Sequence, residues 1–393
     1  MKKVLFVQHT DIMGGSLKGG LDMIRILRDA SELTVFVPNA KEVRLAFPEV
    51  SKVHFVSEEL GTPPTFDYFN GCNSVFRLLL KYILLLVKNG SRWKTYFATH
   101  QQDCVVLNTS VLWPLRKVIQ NTGAECYCYV RETLKGSKNS LLNKMIRKEL
   151  SKCDKAFFLS EYDKDSWDLS CACQCIIPEI VCDPNIEDIP MDGVEAASGF
   201  RFLILYMGGI QKLKGADLLI EALYQLRERG IQDIGVICLG NTGLEPFSLK
   251  KKSLYREQYR YCAYCNNMIK HYKLSEAFRR IGYRKDVYRW LNKCDLVAFP
   301  VREVHQARPV YEAGICKKTI IVPNYENYRE SVIDGYNGLC FVPGDARNLA
   351  DRILELYVDR KKLNNLGENN YKMACKNHLF ESIKGRAQEI ILR

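Results

Sequence analysis

The sequence predicts an α/β protein made of two successive open parallel sheets with helices on their faces. Three observations predict it. Short, unbroken apolar runs such as Phe202–Met207 and Ile234–Leu239 have the composition of strands buried on both faces. Between them the apolar period becomes helical, with Leu218, Leu219, Ala222, Leu223 and Leu226 on one stripe and Gly230 placed to close the helix. The alternation occurs twice, on either side of a passage rich in Pro, Asp and Gly at 182–185 and 189–193 that reads as a linker.

With 393 residues, 47% hydrophobic and 26% charged, the chain can form two domains with full cores and is not of disordered composition. The net charge of +12 points to an anionic partner, leaving nucleotide, nucleic acid and acidic membrane surface open. Met1-Lys-Lys leads straight into the strand-like Val4-Leu-Phe-Val7, so the sixteen cysteines are expected as reduced thiols of a cytoplasmic protein. Cys171, Cys173 and Cys175 alternate, as on one face of a strand. Cys262 and Cys265 have a zinc-like spacing, but His271 is the one nearby candidate to join them, and no metal is expected.

In chain order, residues 4–9 form a strand and 10–20 a loop holding Gly14-Gly15-Ser16. An amphipathic helix follows on Leu21, Ile24, Ile26 and Leu27. Strands are expected at 33–37, 53–56, 104–107, 126–130 and 156–159. Their carboxyl ends, where such sheets bind ligands, carry Gly14-Gly15, Asn108-Thr109 and Arg131-Glu132. The segment 75–87 departs from this pattern. It is rich in Leu, interrupted by Arg77 and Lys81, and followed by Lys88, Arg92 and Lys94. Too short and charged to cross a bilayer, it reads either as a core helix with a wet basic face or as a helix lying on an anionic membrane.

The second half offers strands at 202–207, 234–239, near 281, and at 296–299, 319–322 and 339–342. The first is followed by a loop with Gly208, Gly209, Lys212, Lys214 and Gly215. Small residues, cations and free N–H groups at a helix start suit a phosphate cradle, although neither a P-loop nor a Gly-x-Gly-x-x-Gly pattern is present. The Tyr- and Lys-rich stretch 244–273 reads as a solvated helix pair, with nucleic-acid contact as the alternative.

The passage from Asp295-Leu-Val-Ala-Phe-Pro300 onward carries the sharpest signal. It contains His305-Gln-Ala-Arg-Pro-Val-Tyr-Glu312, Thr319-Ile-Ile-Val-Pro-Asn324, Glu330-Ser-Val-Ile-Asp-Gly335, Asn337-Gly338 and Val342-Pro-Gly-Asp345. With the Gly208-Gly209…Lys214-Gly215 loop, and with Gly14-Gly15, Arg131-Glu132 and Ser160-Glu161, it resembles the retaining GT-B glycosyltransferases of family 4, the glycosyl transferases group 1, over nearly the whole chain. The resemblance implies two facing Rossmann-like domains with a nucleotide-sugar in the cleft. Residues 1–182 would bind the acceptor and 183–376 the donor, with a last helix within 377–393 crossing back to the first domain.

By the same resemblance Lys214 lies on the donor diphosphate and Glu312 accepts from the ribose hydroxyls, with Pro309 at the first helical position. Gly14, Gly15, Gly208, Gly209, Lys212, Ala307 and Arg308 complete the expected donor site. Three departures qualify it. Gly209 stands where the family has Arg, so Arg308 or Lys212 is expected to supply the cation. Val304 stands where the family has the first of two paired glutamates, leaving Glu303 or His305 to reach the sugar. Arg131 stands in the region of a family histidine and is expected to face the cleft.

The implied reaction is hexosyl transfer from a nucleoside-diphosphate sugar, UDP favoured, to an acceptor hydroxyl with retention. Cations stabilise the leaving group, and no metal or other cofactor is required. The acceptor is expected to be a glycan or lipid-linked glycan of surface polysaccharide or glycolipid synthesis. The protein is then expected in the cytoplasm, peripheral on the inner face of the membrane through 75–94, and without nucleic-acid partners. A GT-B epimerase or phosphorylase, or a catalytically weak nucleotide-sugar-binding protein, is the alternative.

Overall fold

The structure, a computed structural model, describes residues 1–11, 15–50, 52–56, 60–66, 75–182, 198–244, 256–305 and 308–393. The chain divides into two compact units, Met1–Ile180 with Phe380–Arg393, and Val181–Leu379.

The first unit begins with β1 (Lys3–Val7), α1 (Gly15–Arg28), β2 (Glu32–Phe36), α2 (Ala40–Ala46) and β3 (His54–Phe55). Then come α3 (Val75–Thr99), β4 (Cys104–Leu107), a 3-10 turn at Ser110–Leu115 running into α4 (Arg116–Ile119), and β5 (Glu125–Val130). It continues with α5 (Leu141–Leu150), β6 (Lys155–Phe158), α6 (Glu161–Trp167) and β7 (Cys173–Ile176). All seven strands are parallel, in the order β3-β2-β1-β4-β5-β6-β7. The strands read as apolar runs because both faces are covered: Leu5 and Val7 enter one core, Val4 and Phe6 the other.

Helix α1 starts at Gly15, inside the stretch expected as loop. Glycine is a poor helix former, but Gly19 has a packing reason, since a Cβ there would lie 2.0 Å from the Arg131 guanidinium. Within β7 the Cys173 and Cys175 sulfurs are 3.7 Å apart on one face, while Cys171 lies before the strand.

The second unit holds β8 (Phe202–Met207), α7 (Ala216–Glu228), β9 (Ile234–Leu239), α8 (Arg256–His271), β10 (Phe278–Gly282), α9 (Val287–Lys293) and β11 (Leu296–Ala298). It continues with α10 (Arg308–Ile315), β12 (Thr319–Pro323), β13 (Leu339–Phe341), α11 (Ala346–Val358) and α12 (Arg360–His378). Its six parallel strands run β10-β9-β8-β11-β12-β13. The chain moves outward from β8 in one direction and returns to β8's other side with β11. That reversal makes the gap beyond the carboxyl ends of β8 and β11 the expected ligand position.

The helix pair expected between 244 and 273 is, among the described residues, the single helix α8. It is not merely solvated: Tyr261, Cys262, Cys265 and Ile269 are core. The last helix, α13 (Phe380–Leu392), belongs to the first unit, where Ile383, Ala387 and Ile391 are buried with α1.

Candidate active site

Two loops meet at the reversal point of the second sheet. The first, after β8, turns at Gly209, whose φ is +62°. A Cβ there would fall 2.4 Å from the backbone nitrogen of Asn241. The family's arginine therefore has no room at this place in the present backbone, and the glycine is a requirement of the turn. The loop closes on itself. The N–H groups of Gly209, Ile210, Gln211, Lys214 and Gly215 donate to Leu239, Asn241, Gly209, Gln211 and Lys212 carbonyls. The buried Tyr206 hydroxyl fastens it from below, 2.9 Å from the Gly209 carbonyl and 3.1 Å from that of Lys214.

These five loop N–H groups are thus used within the protein, and at the helix start those of Asp217 and Leu218 donate to the Tyr261 hydroxyl and the Gly215 carbonyl. What the loop presents is Lys214. Burial pushes its ammonium down to about 8 from the usual 10.5. Its Nζ lies 2.5 Å from His305 Nε2 and 5.2 Å from the centre of the Phe299 ring. Among the described residues no carboxylate pairs with it.

The second loop follows β11 and carries Arg302, Glu303 and His305. It is tied to the first at several points. Gly215, at φ +70°, is so close to Pro300 that a Cβ would lie 1.8 Å from the Pro300 oxygen. Arg302 N–H donates to Leu213 O at 3.0 Å. The Arg302 guanidinium clasps Asp217 at the start of α7, with Nε 3.1 Å from Oδ1 and a terminal nitrogen on Oδ2. Asp217, buried, also accepts from the Tyr261 hydroxyl at 2.6 Å. The His305 carbonyl accepts from Asn327 Nδ2 at 3.0 Å and from Tyr328 Oη at 2.8 Å, which sets the imidazole toward Lys214. An ammonium can only donate, so Nε2 accepts and the ring proton sits on Nδ1.

The remaining expected residues are distributed unequally. Lys212 and Glu303 are exposed. Arg308 opens α10, followed by Pro309; its Nε donates to Oε1 of the buried Glu312 one turn later, at 3.1 Å. This bond accounts for part of the charge that sequence reading assigned to the donor phosphates. Ala307 and Gly14 lie outside the described residues, and Gly15 is the exposed first residue of α1. Arg131 belongs to the first unit. It is nearly buried, 2.6 Å from Glu179 Oε2 and stacked 5.0 Å from the Tyr129 ring centre, so an ion pair occupies the group expected to face a cleft.

Glu132 beside it binds the Ser110 N–H at 2.9 Å and the Ser110 hydroxyl at 2.6 Å, a capping role. The Asp163-Lys164-Asp165 spacing, of a kind that can hold a metal, sits on α6, where Asp163 bonds the Ser160 and Thr133 hydroxyls. No group of three or more metal-ligating side chains is found among the described residues. Sequence reasoning missed the Lys214–His305 contact and the Arg302–Asp217 clasp. The residues of each pair are 91 and 85 positions apart, and no periodicity signals such a meeting.

The chain is similar to known proteins over part or all of its length. Residues 194–373 match the family model described as glycosyl transferases group 1. An uncharacterized glycosyltransferase of Methanocaldococcus jannaschii is 25% identical over 174 residues, 44% of this chain and 43% of that protein. The N,N'-diacetylbacillosaminyl-diphospho-undecaprenol alpha-1,3-N-acetylgalactosaminyltransferase of Campylobacter jejuni is 32% identical over 95 residues, 24% of this chain and 25% of that protein. The matches thus span less than half the length of these curated relatives. Among solved structures, Anabaena HepE in complex with UDP and glucose superposes with a TM-score of 0.79 at 17% identity, covering 100% of both chains. Sucrose-phosphate synthase of Thermosynechococcus elongatus gives 0.70 at 14%, covering 99% of this chain and 98% of that one. The chain therefore has the GT-B fold, and residues 194–373 are similar to the glycosyl transferases group 1 family.

Proposed function

We propose that the protein transfers a hexosyl group from a nucleoside-diphosphate sugar, UDP-sugar favoured, to an acceptor hydroxyl with retention at the anomeric carbon. The observation that carries this reading is Lys214: a half-buried ammonium without a carboxylate among the described residues, aimed with His305 into the reversal point of a parallel sheet. A buried cation held this way is costly unless an anion completes it, and a diphosphate is the anion that the family handles.

In the reaction the bond from the anomeric carbon to the diphosphate oxygen breaks and the bond to the acceptor oxygen forms on the same face. The acceptor's proton passes to the departing diphosphate. Lys214 lowers the barrier by stabilising the charge that grows on the leaving group. Glu312 accepts from the ribose hydroxyls, and His305 takes the place at the sugar left by Val304. Lys214 does the work of a divalent ion, so turnover should survive EDTA.

The choice of UDP draws support from the neighbour solved with UDP and glucose. A lipid-linked acceptor, in surface polysaccharide or glycolipid synthesis, draws support from the Campylobacter relative, whose name includes a diphospho-undecaprenol. We place the protein in the cytoplasm, at the inner face of the membrane. The structure contains no disulfide among the described cysteines, which suits a reducing compartment. No described helix is long and apolar enough to cross a membrane.

The test is a thermal-shift screen with UDP, GDP and ADP, followed by transfer from the radiolabelled sugar of the nucleotide that binds. The expected result is stabilisation by UDP and a product of unchanged anomeric configuration by NMR. Conversion of the donor without an acceptor would favour an epimerase, and binding without turnover would favour a nucleotide-sugar-binding protein.

A further inference from the structure

Helix α3 changes character along its length. From Asn89 onward its inner face is core: Trp93, Tyr96 and Phe97 are buried, and Trp93 packs edge-on to Phe36 at 5.0 Å. Between Leu79 and Val87 most of the described aliphatic side chains lie outside. Leu84 is 60% exposed and Val87 78%, with Leu79, Leu80, Ile83 and Leu86 also exposed. So many aliphatic groups side by side mark an interaction surface.

Leu80, Leu84, Val87, Ser91 and Lys94 succeed one another at spacings of four and three, forming one line down the helix. That line is greasy at one end and cationic at the other, where Lys88, Arg92 and Lys94 are exposed. No Asp or Glu occurs between Tyr68 and Gln102. At the cationic end a groove of about 520 Å³ runs between α3 and α4, lined by Lys94, Phe97, Lys117, Asn121 and Thr122. Its two ammonium groups and the Asn121 amide are donors suited to phosphate oxygens.

We propose that this face docks the protein on an anionic lipid bilayer. The turns 79–87 enter the boundary between headgroups and acyl chains, and lipid phosphates meet Lys88, Arg92 and the Lys94–Lys117 groove. Charge selects this occupant. A second copy of a chain with a net charge of +12 would bring cations against cations, whereas a bilayer supplies an apolar layer under a sheet of phosphates. The docking does not presuppose glycosyl transfer, and its test reads binding alone.

The full chain is floated with phosphatidylcholine vesicles, with and without phosphatidylglycerol. The expected result is at least tenfold tighter binding to the anionic vesicles, weakened by salt, at roughly fivefold per cation engaged. Leu84→Glu with Val87→Glu, exposed positions whose change leaves the melting temperature in place, should abolish binding at every salt concentration. Lys94→Glu with Lys117→Glu should reduce anionic binding to the level of neutral vesicles. Equal binding to both vesicle types, or unchanged binding by the aliphatic double variant, overturns the proposal. So does a dimer in sedimentation velocity that the aliphatic double variant dissolves, since that would make the face an interface between copies.

Discussion

Lys214 shows how one side chain can cost stability and serve binding together. Burial holds its ammonium at about 8, below the 10.5 of an exposed lysine, so the folded state disfavours the charged form. The cost is present below about pH 8 and is relieved as pH rises toward the unfolded value. Lys214→Met should raise stability at neutral pH by about 1–3 kcal/mol while abolishing UDP binding. Denaturant melts beside calorimetric titration check both halves. An anion favours the charged lysine, so UDP affinity should hold below pH 8 and fall by up to tenfold per unit above it. His305 is the titratable group in contact, and His305→Asn should leave this alkaline limb in place. A flat profile in both proteins would contradict the role given to Lys214. Gly209 makes a second statement at this scale. Restoring the family's side chain by Gly209→Arg should lower stability by roughly 2–4 kcal/mol instead of improving donor binding, because the Cβ meets Asn241 backbone. Differential scanning fluorimetry separates the two outcomes.

Among the elements, the loops after β8 and β11 act as one piece because Arg302 and Asp217 lock them together. Asp217→Asn retains the Tyr261 contact but removes the charge opposite Arg302. The expected outcome is a donor KM raised by five- to fiftyfold with kcat changed less, and a stability loss of about 1–3 kcal/mol. Steady-state kinetics with chemical denaturation measures both. The helices and strands themselves were largely legible. Phe202–Met207 and Ile234–Leu239 are unbroken apolar runs, and a strand covered on both faces leaves that mark in composition. The start of α1 was not legible, since Gly15, Gly19 and Gly20 look like loop until Arg131 and Gln8 are seen filling the space that side chains at 19 and 20 would take. Helix α3 was legible as a helix, whereas its division into core and exposed halves depends on which partners tertiary packing supplies. In the candidate site, single residues could be named from the family resemblance, but the bonds linking His305 to Lys214 and Arg308 to Glu312 came only with the fold.

At the scale of the molecule, the first unit is discontinuous: α13 supplies Ile383, Ala387 and Ile391 to its core, and Gln388 Nε2 donates to Ile26 O at 2.7 Å. Burying two isoleucines and an alanine contributes about 3–5 kcal/mol. A chain ending at His378 should show an earlier transition for the first unit in scanning calorimetry, with the second unit's transition unmoved. Both moving together would mean that the two units unfold as one. During synthesis this arrangement imposes an order. The first half leaves the ribosome about 200 residues before its closing helix, which at 5–20 residues per second is a wait of roughly 10–40 s. Through that interval the aliphatic face of α1 is uncovered in the nascent chain. The earlier segment is completed only by the later one, and a chaperone that shields α1 would have its work ended by the arrival of α13.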